Sequence, residues 1–259
     1  MKMKAHLISG AGNTFHITLV ESAPPAVVMK AITKEVCTAR PADGFIFLQT
    51  EGDSLTGEKF KWSFFNNDGS AAEMCGNATR CVGYYIKNLL GSPLEEWQLQ
   101  TVAGNIAIRF IEKEIYRIRM PAIREFKSVH GFYCDTGVPH LVIECQQIVT
   151  DEQQKQRARE LRSHIDFMPR GTNVTYVKLE RDAKNVKAVS YERGVEDFTA
   201  ACGTGAVAAA IYNLTKRGVR QTQVEMPGGT LMMDLSDLSQ PEMTGPAVLL
   251  GSFDYAIEI

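Results

Sequence analysis

Two stretches of the chain combine a cysteine with glycine at what reads as the start of a helix. Thr199-Ala200-Ala201-Cys202-Gly203-Thr204-Gly205 opens onto an alanine run, and Cys75-Gly76-Asn77-Ala78-Thr79-Arg80-Cys81 repeats the arrangement earlier. The first turn of a helix leaves N–H groups unpaired and carries the positive end of the helix dipole. A thiol there is eased toward thiolate, and an adjacent glycine lets a carboxylate approach the backbone. Two such groups suit inversion at a carbon bearing an acidic hydrogen: a thiolate removes the proton from one face and a thiol supplies one to the other. Helix N–H groups on the substrate carboxylate would stabilise the carbanion without a metal or a pyridoxal cofactor.

The elements that must position these residues follow from patterning. Alternation predicts strand, turn and strand over residues 6–20, with the turn at Gly10-Ala11-Gly12-Asn13, then a helix over 26–37 after Pro24-Pro25. Strands are expected at 45–50 and 60–65, and a helix from Cys75 to about Leu90, stopped by Gly91. Further strands are expected at 97–102, 105–111, 115–120, 132–134, 141–145, 173–180 and 186–191. A charged surface helix falls at 151–163, and the helix from Cys202 ends at Gly218.

Counting from the cysteines exposes an internal repeat. Nine residues before Cys75 and Cys202 stand Asn66 and Arg193, ten after each a tyrosine (Tyr85, Tyr212), and sixteen after each a glycine (Gly91, Gly218). Read without a gap, Ser63-Phe64-Phe65 matches Ser190-Tyr191-Glu192. Upstream, Asn13-Thr14-Phe15 is matched to Asn173-Val174-Thr175-Tyr176. The expectation is an α/β (α+β) protein of two pseudo-symmetric lobes, each a mixed or antiparallel sheet wrapped around a central helix, with the active site in the cleft between them.

Composition excludes other classes. At 259 residues with a formal charge of −2, the chain has no electrostatic reason to bind nucleic acid or a membrane surface. No signal peptide or membrane-length apolar run is present, so a cytoplasmic location is expected. Cys37, Cys81, Cys134 and Cys145 have no partner in the repeat and read as packing residues. His6, His16, His130 and His164 show no ligand spacing, so no metal is expected. Gly10-Ala11-Gly12 is no dinucleotide fingerprint, because no third glycine opens a helix.

Taken together, Gly12-Asn13, Asn66-x-Asp68-Gly69-Ser70, Cys75-Gly76-Asn77-x-x-Arg80-Cys81, Glu192-Arg193-Gly194 and Ala201-Cys202-Gly203-Thr204-Gly205 resemble the diaminopimelate epimerase family over nearly the whole chain. The resemblance implies lobes at 1–120 and 121–249, with 250–259 returning to the first. It implies Cys75 and Cys202 as the acid/base pair, and the backbone at Gly76-Asn77 and Gly203-Thr204 as the carboxylate site. Asn13, Asn66, Asn173, Glu192 and Arg193 would bind substrate, Arg193 on the far carboxylate and Glu192 on the far ammonium. His140 and Glu192 would adjust the thiols. The implied reaction is LL- to meso-diaminopimelate, a step toward lysine and peptidoglycan, with no cofactor.

The chain departs from the family where Gly-Asn-Pro-His reads Gly137-Val138-Pro139-His140, where Thr14 stands for an Asp, and in the approach Gly194-Val195-Glu196-Asp197-Phe198-Thr199. A racemase of another amino acid and a non-catalytic amino-acid binding module therefore stay open beside the epimerase. The partner expected is a small molecule, and a homodimer is left open.

Overall fold

The computed structural model describes residues 2–51, 57–72 and 74–256. The last three residues of the expected return to the first lobe, 257–259, lie outside them. The chain divides into two compact units, Met1–Ile118 with Gly245–Ile259, and Arg119–Thr244. No described helix is long and apolar enough to cross a membrane.

In the first unit, β1 (Lys2–Gly10) and β2 (Asn13–Leu19) form a hairpin over Ala11-Gly12. Helix α1 (Ala26–Ala39) follows Pro25, whose fixed φ and free carbonyl suit a helix start; Val28 and Met29 donate to that carbonyl. Met29, Ile32, Val36 and Cys37 fall on one face of α1 and bury it. Strand β3 (Gly44–Thr50) returns parallel to β2 and pairs antiparallel with β4 (Lys59–Asn66). Phe45, Phe47 and Phe65 pack in one apolar cluster with the buried face of α1.

Helix α2 (Gly76–Tyr84) is buried almost all round and touches β1, β2 and β6 (Gly104–Glu112). The single helix expected to Leu90 instead widens into a π turn at Tyr85–Leu89, closed by Leu90 N–H on Tyr85 O. The wider turn allows Tyr85 and Ile86 both to be buried. Strands β5 (Glu96–Thr101), β6 and β7 (Ile115–Arg119) continue as a meander.

The second unit repeats the order with different packing. Strand β8 (Glu125–Ser128), exposed throughout and without alternation, was not legible from the sequence; it pairs with β9 (Phe132–Asp135). Strand β10 (Pro139–Glu144) follows, then α3 (Glu152–Arg162), capped by Asp151. Strand β11 (Asn173–Leu179) lies parallel to β10 and antiparallel to β12 (Asn185–Glu192). Leu141, Val174, Tyr176 and Tyr191 pack with Ala158 and Leu161 of α3.

A two-residue β13 (Asp197–Phe198) leads to α4 (Gly203–Arg217), which ends at left-handed Gly218. Its small residues Ala206 to Ala210 are all buried, because strands β9 to β12 and then β14 (Gln221–Met226) and β15 (Gly229–Asp234) surround it. Strand β16 (Glu242–Pro246) pairs with β15. The last strand, β17 (Val248–Ala256), belongs to the first unit and runs antiparallel along β1.

The strand pairings fit more than one alignment of the repeat, and the faces packed by α1 and α3 decide which holds upstream of the cysteines. The linked pairs Ile17↔Ile46 and Ile46↔Phe64 in the first unit have as counterparts Val142↔Thr175 and Thr175↔Ser190 in the second. Phe65 then matches Tyr191, which also puts both on the face packed by α1 or α3. Ten residues separate Phe65 from Cys75 and eleven separate Tyr191 from Cys202, so the gap-free reading fails there and Asn66 matches Glu192, not Arg193. Asn13 likewise matches Val138, and Asn173 matches Gly44. A one-residue slip moves every strand side chain to the opposite face, so cysteine counting alone could not detect it.

Candidate active site

In the first unit Cys75 is the extended residue that caps α2 (φ −145°, ψ 123°), half-buried. Its carbonyl accepts the N–H and the hydroxyl of Thr79, each at 2.9 Å. The N–H groups of Gly76, Asn77 and Ala78 precede that first helical bond and have no intrahelical acceptor. The Asn77 side chain is committed inward: its Nδ2 donates to Asn13 Oδ1 at 2.5 Å and its Oδ1 accepts Arg80 Nη2 at 2.7 Å. Asn13 in turn donates to Asp43 Oδ2. Asn13 therefore braces the start of α2 through its own side chain. Asn66 is exposed, its amide donating to Ser70 Oγ at 3.0 Å across a turn.

Arg80, present in the motif but given no role there, and Asp43 are two residues of the first unit that the sequence reading left without a function. Arg80 is fully buried and also donates to Gly76 O and Pro246 O. Burial pulls its pKa down to about 10, opposed by its electrostatic coupling to the Cys81 and Cys75 thiols. It remains a cation at neutral pH, the charge closest in kind to what a thiolate needs. The available signal was its place three residues after Asn77 on a helix.

In the second unit Cys202 caps α4 in the same extended conformation and is only 4% exposed. Its Sγ accepts Gly205 N–H at 3.4 Å and lies 3.4 Å from Thr204 Oγ1. Burial, first, and then the charge of Glu192 push this thiol well above its ordinary range; the Thr204 and Gly205 bonds oppose them. Cys202 is therefore protonated at neutral pH. Glu192 also accepts a short bond from Thr199 Oγ1.

His140 is fully buried, and desolvation draws its pKa down to about 3. It is a neutral imidazole, and its tautomer follows from its neighbours. Arg193 N–H donates to Asn173 Oδ1 at 2.8 Å, which turns the Asn173 amide nitrogen toward His140 Nε2 at 3.3 Å. Nε2 is thus the acceptor, and Nδ1–H donates to Thr175 Oγ1 at 2.9 Å. Thr204 Oγ1 lies 2.9 Å from Nε2, so the chain Thr175–His140–Thr204–Cys202 is continuous.

Arg193 is exposed and donates a short bond to the carbonyl of Arg170, whose guanidinium holds Asp135 at 3.0 Å. Asp135 also accepts Gly137 N–H, tying down the turn that carries Val138. The loop after Arg193 is held by Glu196, whose Oε1 takes Arg162 Nε at 2.6 Å and Gly194 N–H at 3.1 Å while its backbone sits at φ +59°. Neither Arg162 nor Arg170 carries a local sequence signal, since both act only through contacts made by the fold. His130 and His164, for which spacing gave no ligand set, are brought together with Asp166 in this unit, their ligating atoms within 4.8 Å of one another.

An α+β chain built twice, with a thiol and first-turn N–H groups that have no acceptor within their own helix in each unit, carries the equipment of an acid/base enzyme acting beside a carboxylate. The family model for diaminopimelate epimerase matches residues 8–120 and 132–250. The diaminopimelate epimerase of Aquifex aeolicus is 34% identical over 92% of both chains, and that of Methanocella arvoryzae is 33% identical over 98% of this chain and 97% of its own. A phenazine biosynthesis protein of the PhzF family from Bacillus anthracis shares the fold at a TM-score of 0.76 and 16% identity, covering 99% of this chain and all of its own. The chain belongs to the diaminopimelate epimerase family and is an isomerase.

Proposed function

We propose that the protein interconverts LL- and meso-diaminopimelate by moving protons between Cα and two cysteines. The observation that carries this is the pair of capping thiols, Cys75 and Cys202, each at the first turn of a helix whose leading N–H groups have no acceptor within the helix. In one direction the Cys75 thiolate takes the α-proton while the Cys202 thiol delivers its own to the opposite face of Cα. The products are a Cys75 thiol, a Cys202 thiolate and inverted substrate, and the reverse passage restores the starting state. The N–H groups of Gly76, Asn77, Gly203 and Thr204 hold the reacting carboxylate. Glu192, beside the Cys202 sulfur, keeps that thiol protonated, and neutral His140 orients it through Thr204. Arg193 grips the far carboxylate, with Asn13, Asn66 and Asn173 supporting the substrate or its binding loops. The residues 1–120 with 250–259 and 121–249 act as two lobes on one substrate, in the cytoplasm, without nucleic acid, membrane or cofactor.

Exchange of the α-proton of LL-diaminopimelate with D2O, followed by NMR, tests the reading. Cys75→Ala and Cys202→Ala each lower epimerisation by about 10²- to 10⁴-fold; full turnover in either variant removes the two-thiol mechanism. Binding of diaminopimelate without exchange by the wild type would make the protein a binding module. A second reading, a racemase of another amino acid, draws on Val138, the counterpart of Asn13 in the repeat. Optical inversion across a panel of L-amino acids decides it: inert diaminopimelate with another substrate inverted keeps the mechanism and changes the substrate.

A further inference from the structure

His130 and His164 are 34 residues apart, so no ligand motif links them. The fold nevertheless joins them with Asp166. His130 occupies the turn between β8 and β9 with a left-handed backbone (φ +55°), and His164 caps the short 3₁₀ turn Ile165–Phe167. The imidazole rings meet edge to face at 4.3 Å between centroids, and His130 Nε2 lies 2.6 Å from Asp166 Oδ2. His164 Nδ1 stands 3.5 Å from the same oxygen. Beneath them Phe167, buried and stacked on Tyr133, gives an apolar floor to both imidazoles.

We propose that His130, His164 and Asp166 form a surface site for a first-row divalent transition ion of the zinc class. Two imidazole nitrogens and one carboxylate are the donor set such ions favour, whereas magnesium and calcium require oxygen shells. Ligand atoms around tetrahedral zinc lie about 3.4 Å apart, given bonds of about 2.1 Å. The nitrogen and oxygen atoms here already lie within 4.8 Å of one another, about 1.4 Å from that spacing at most, on side chains that are exposed or half-exposed. The three side chains are exposed or half-exposed, so the ion has access and water completes its shell. Bound metal would pin the β8–β9 turn to the segment after α3, two parts of the second unit with no sequence continuity. The site is separate from the two thiols and does not depend on the proposed reaction.

Isothermal titration of the full-length protein with Zn2+, and visible absorption with Co2+, test the assignment. One equivalent binds to the wild type and equally to the Cys75→Ala/Cys202→Ala variant, and affinity falls about tenfold or more in His164→Ala and in Asp166→Asn. Zinc raises the melting temperature of the wild type and not that of His130→Asn, while both melt together in chelator, showing that the variant is folded. Binding that survives the histidine variants, binding that disappears with the two cysteines, or no binding at all overturns the proposal.

Discussion

The two units hold their cysteines on one frame and surround them with opposite chemistry. Phe15, Ile46 and Phe64 of the first unit occupy the places taken in the second by His140, Thr175 and Ser190. In the first, Phe15 and Phe64 meet edge to face at 5.7 Å; in the second, His140, Thr175 and Ser190 are joined by hydrogen bonds of 2.9 Å each. The charges diverge in the same way. A buried guanidinium, Arg80, stands near Cys75, and a carboxylate, Glu192, stands near Cys202. What duplication conserved is the capping geometry; what diverged is the polarity behind it. A reaction needing one thiolate and one thiol at the same pH requires such an inequality.

The polar triad gives the largest expected effect. His140 is held to a pKa of about 3 against 6.5 unfolded, so the unfolded chain binds an extra proton between those values. Stability from this group is present above pH 6.5 and drains away as pH falls toward 3, on the order of 5 kcal/mol in all. Urea midpoints at pH 7 and pH 4 measure it: His140→Gln flattens the decline, and a variant as pH-sensitive as the wild type would remove His140 from the account. Phe15→Leu, the counterpart change, leaves the pH slope unaltered.

Next comes the charge contrast. Arg80→Met removes the cation partner of Asn77 Oδ1 and the side-chain bonds to Gly76 O and Pro246 O, and is expected to cost about 3 kcal/mol. It should also slow alkylation of Cys75. In the wild type iodoacetamide labels Cys75 before Cys202, since Cys202 is 4% exposed and its thiol is pushed up. Glu192→Gln narrows that gap. Peptide mapping that finds Cys202 labelled first breaks the comparison.

A smaller effect separates Ala78 from Gly205, each three residues after its cysteine. A Cβ on Gly205 would collide with Ser190 Oγ and press on Cys202 Sγ at 3.3 Å, while the first unit accommodates the Ala78 methyl group in full burial. Gly205→Ala is expected to lose about 2 kcal/mol together with most turnover, and Ala78→Gly about 1 kcal/mol with turnover retained. Thermal melts and exchange rates read both. Smallest is Glu196→Gly, which removes the Arg162 pair but relieves a left-handed backbone. Stability should change by under about 1 kcal/mol while KM rises more than kcat falls; a KM unmoved by the change frees Arg193 from dependence on this loop.

The sequence by itself determined the helix starts and both cysteines, because capping preference and glycine stops are local and act within a turn of the chain. It located α1 from Pro25 and one apolar stripe, and most strands from alternation. It missed β8, whose four residues are all exposed and leave no pattern, and it carried the repeat one residue out of register before Cys202, where only the faces packed by α1 and α3 reveal the slip. The roles of Thr175, Ser190 and Arg162, and the meeting of His130 with His164, were decided by tertiary structure alone. Each depends on a contact between segments whose spacing along the chain carries no information about their distance in space, and burial, which sets the charge state of His140 and Cys202, exists only once those segments have packed.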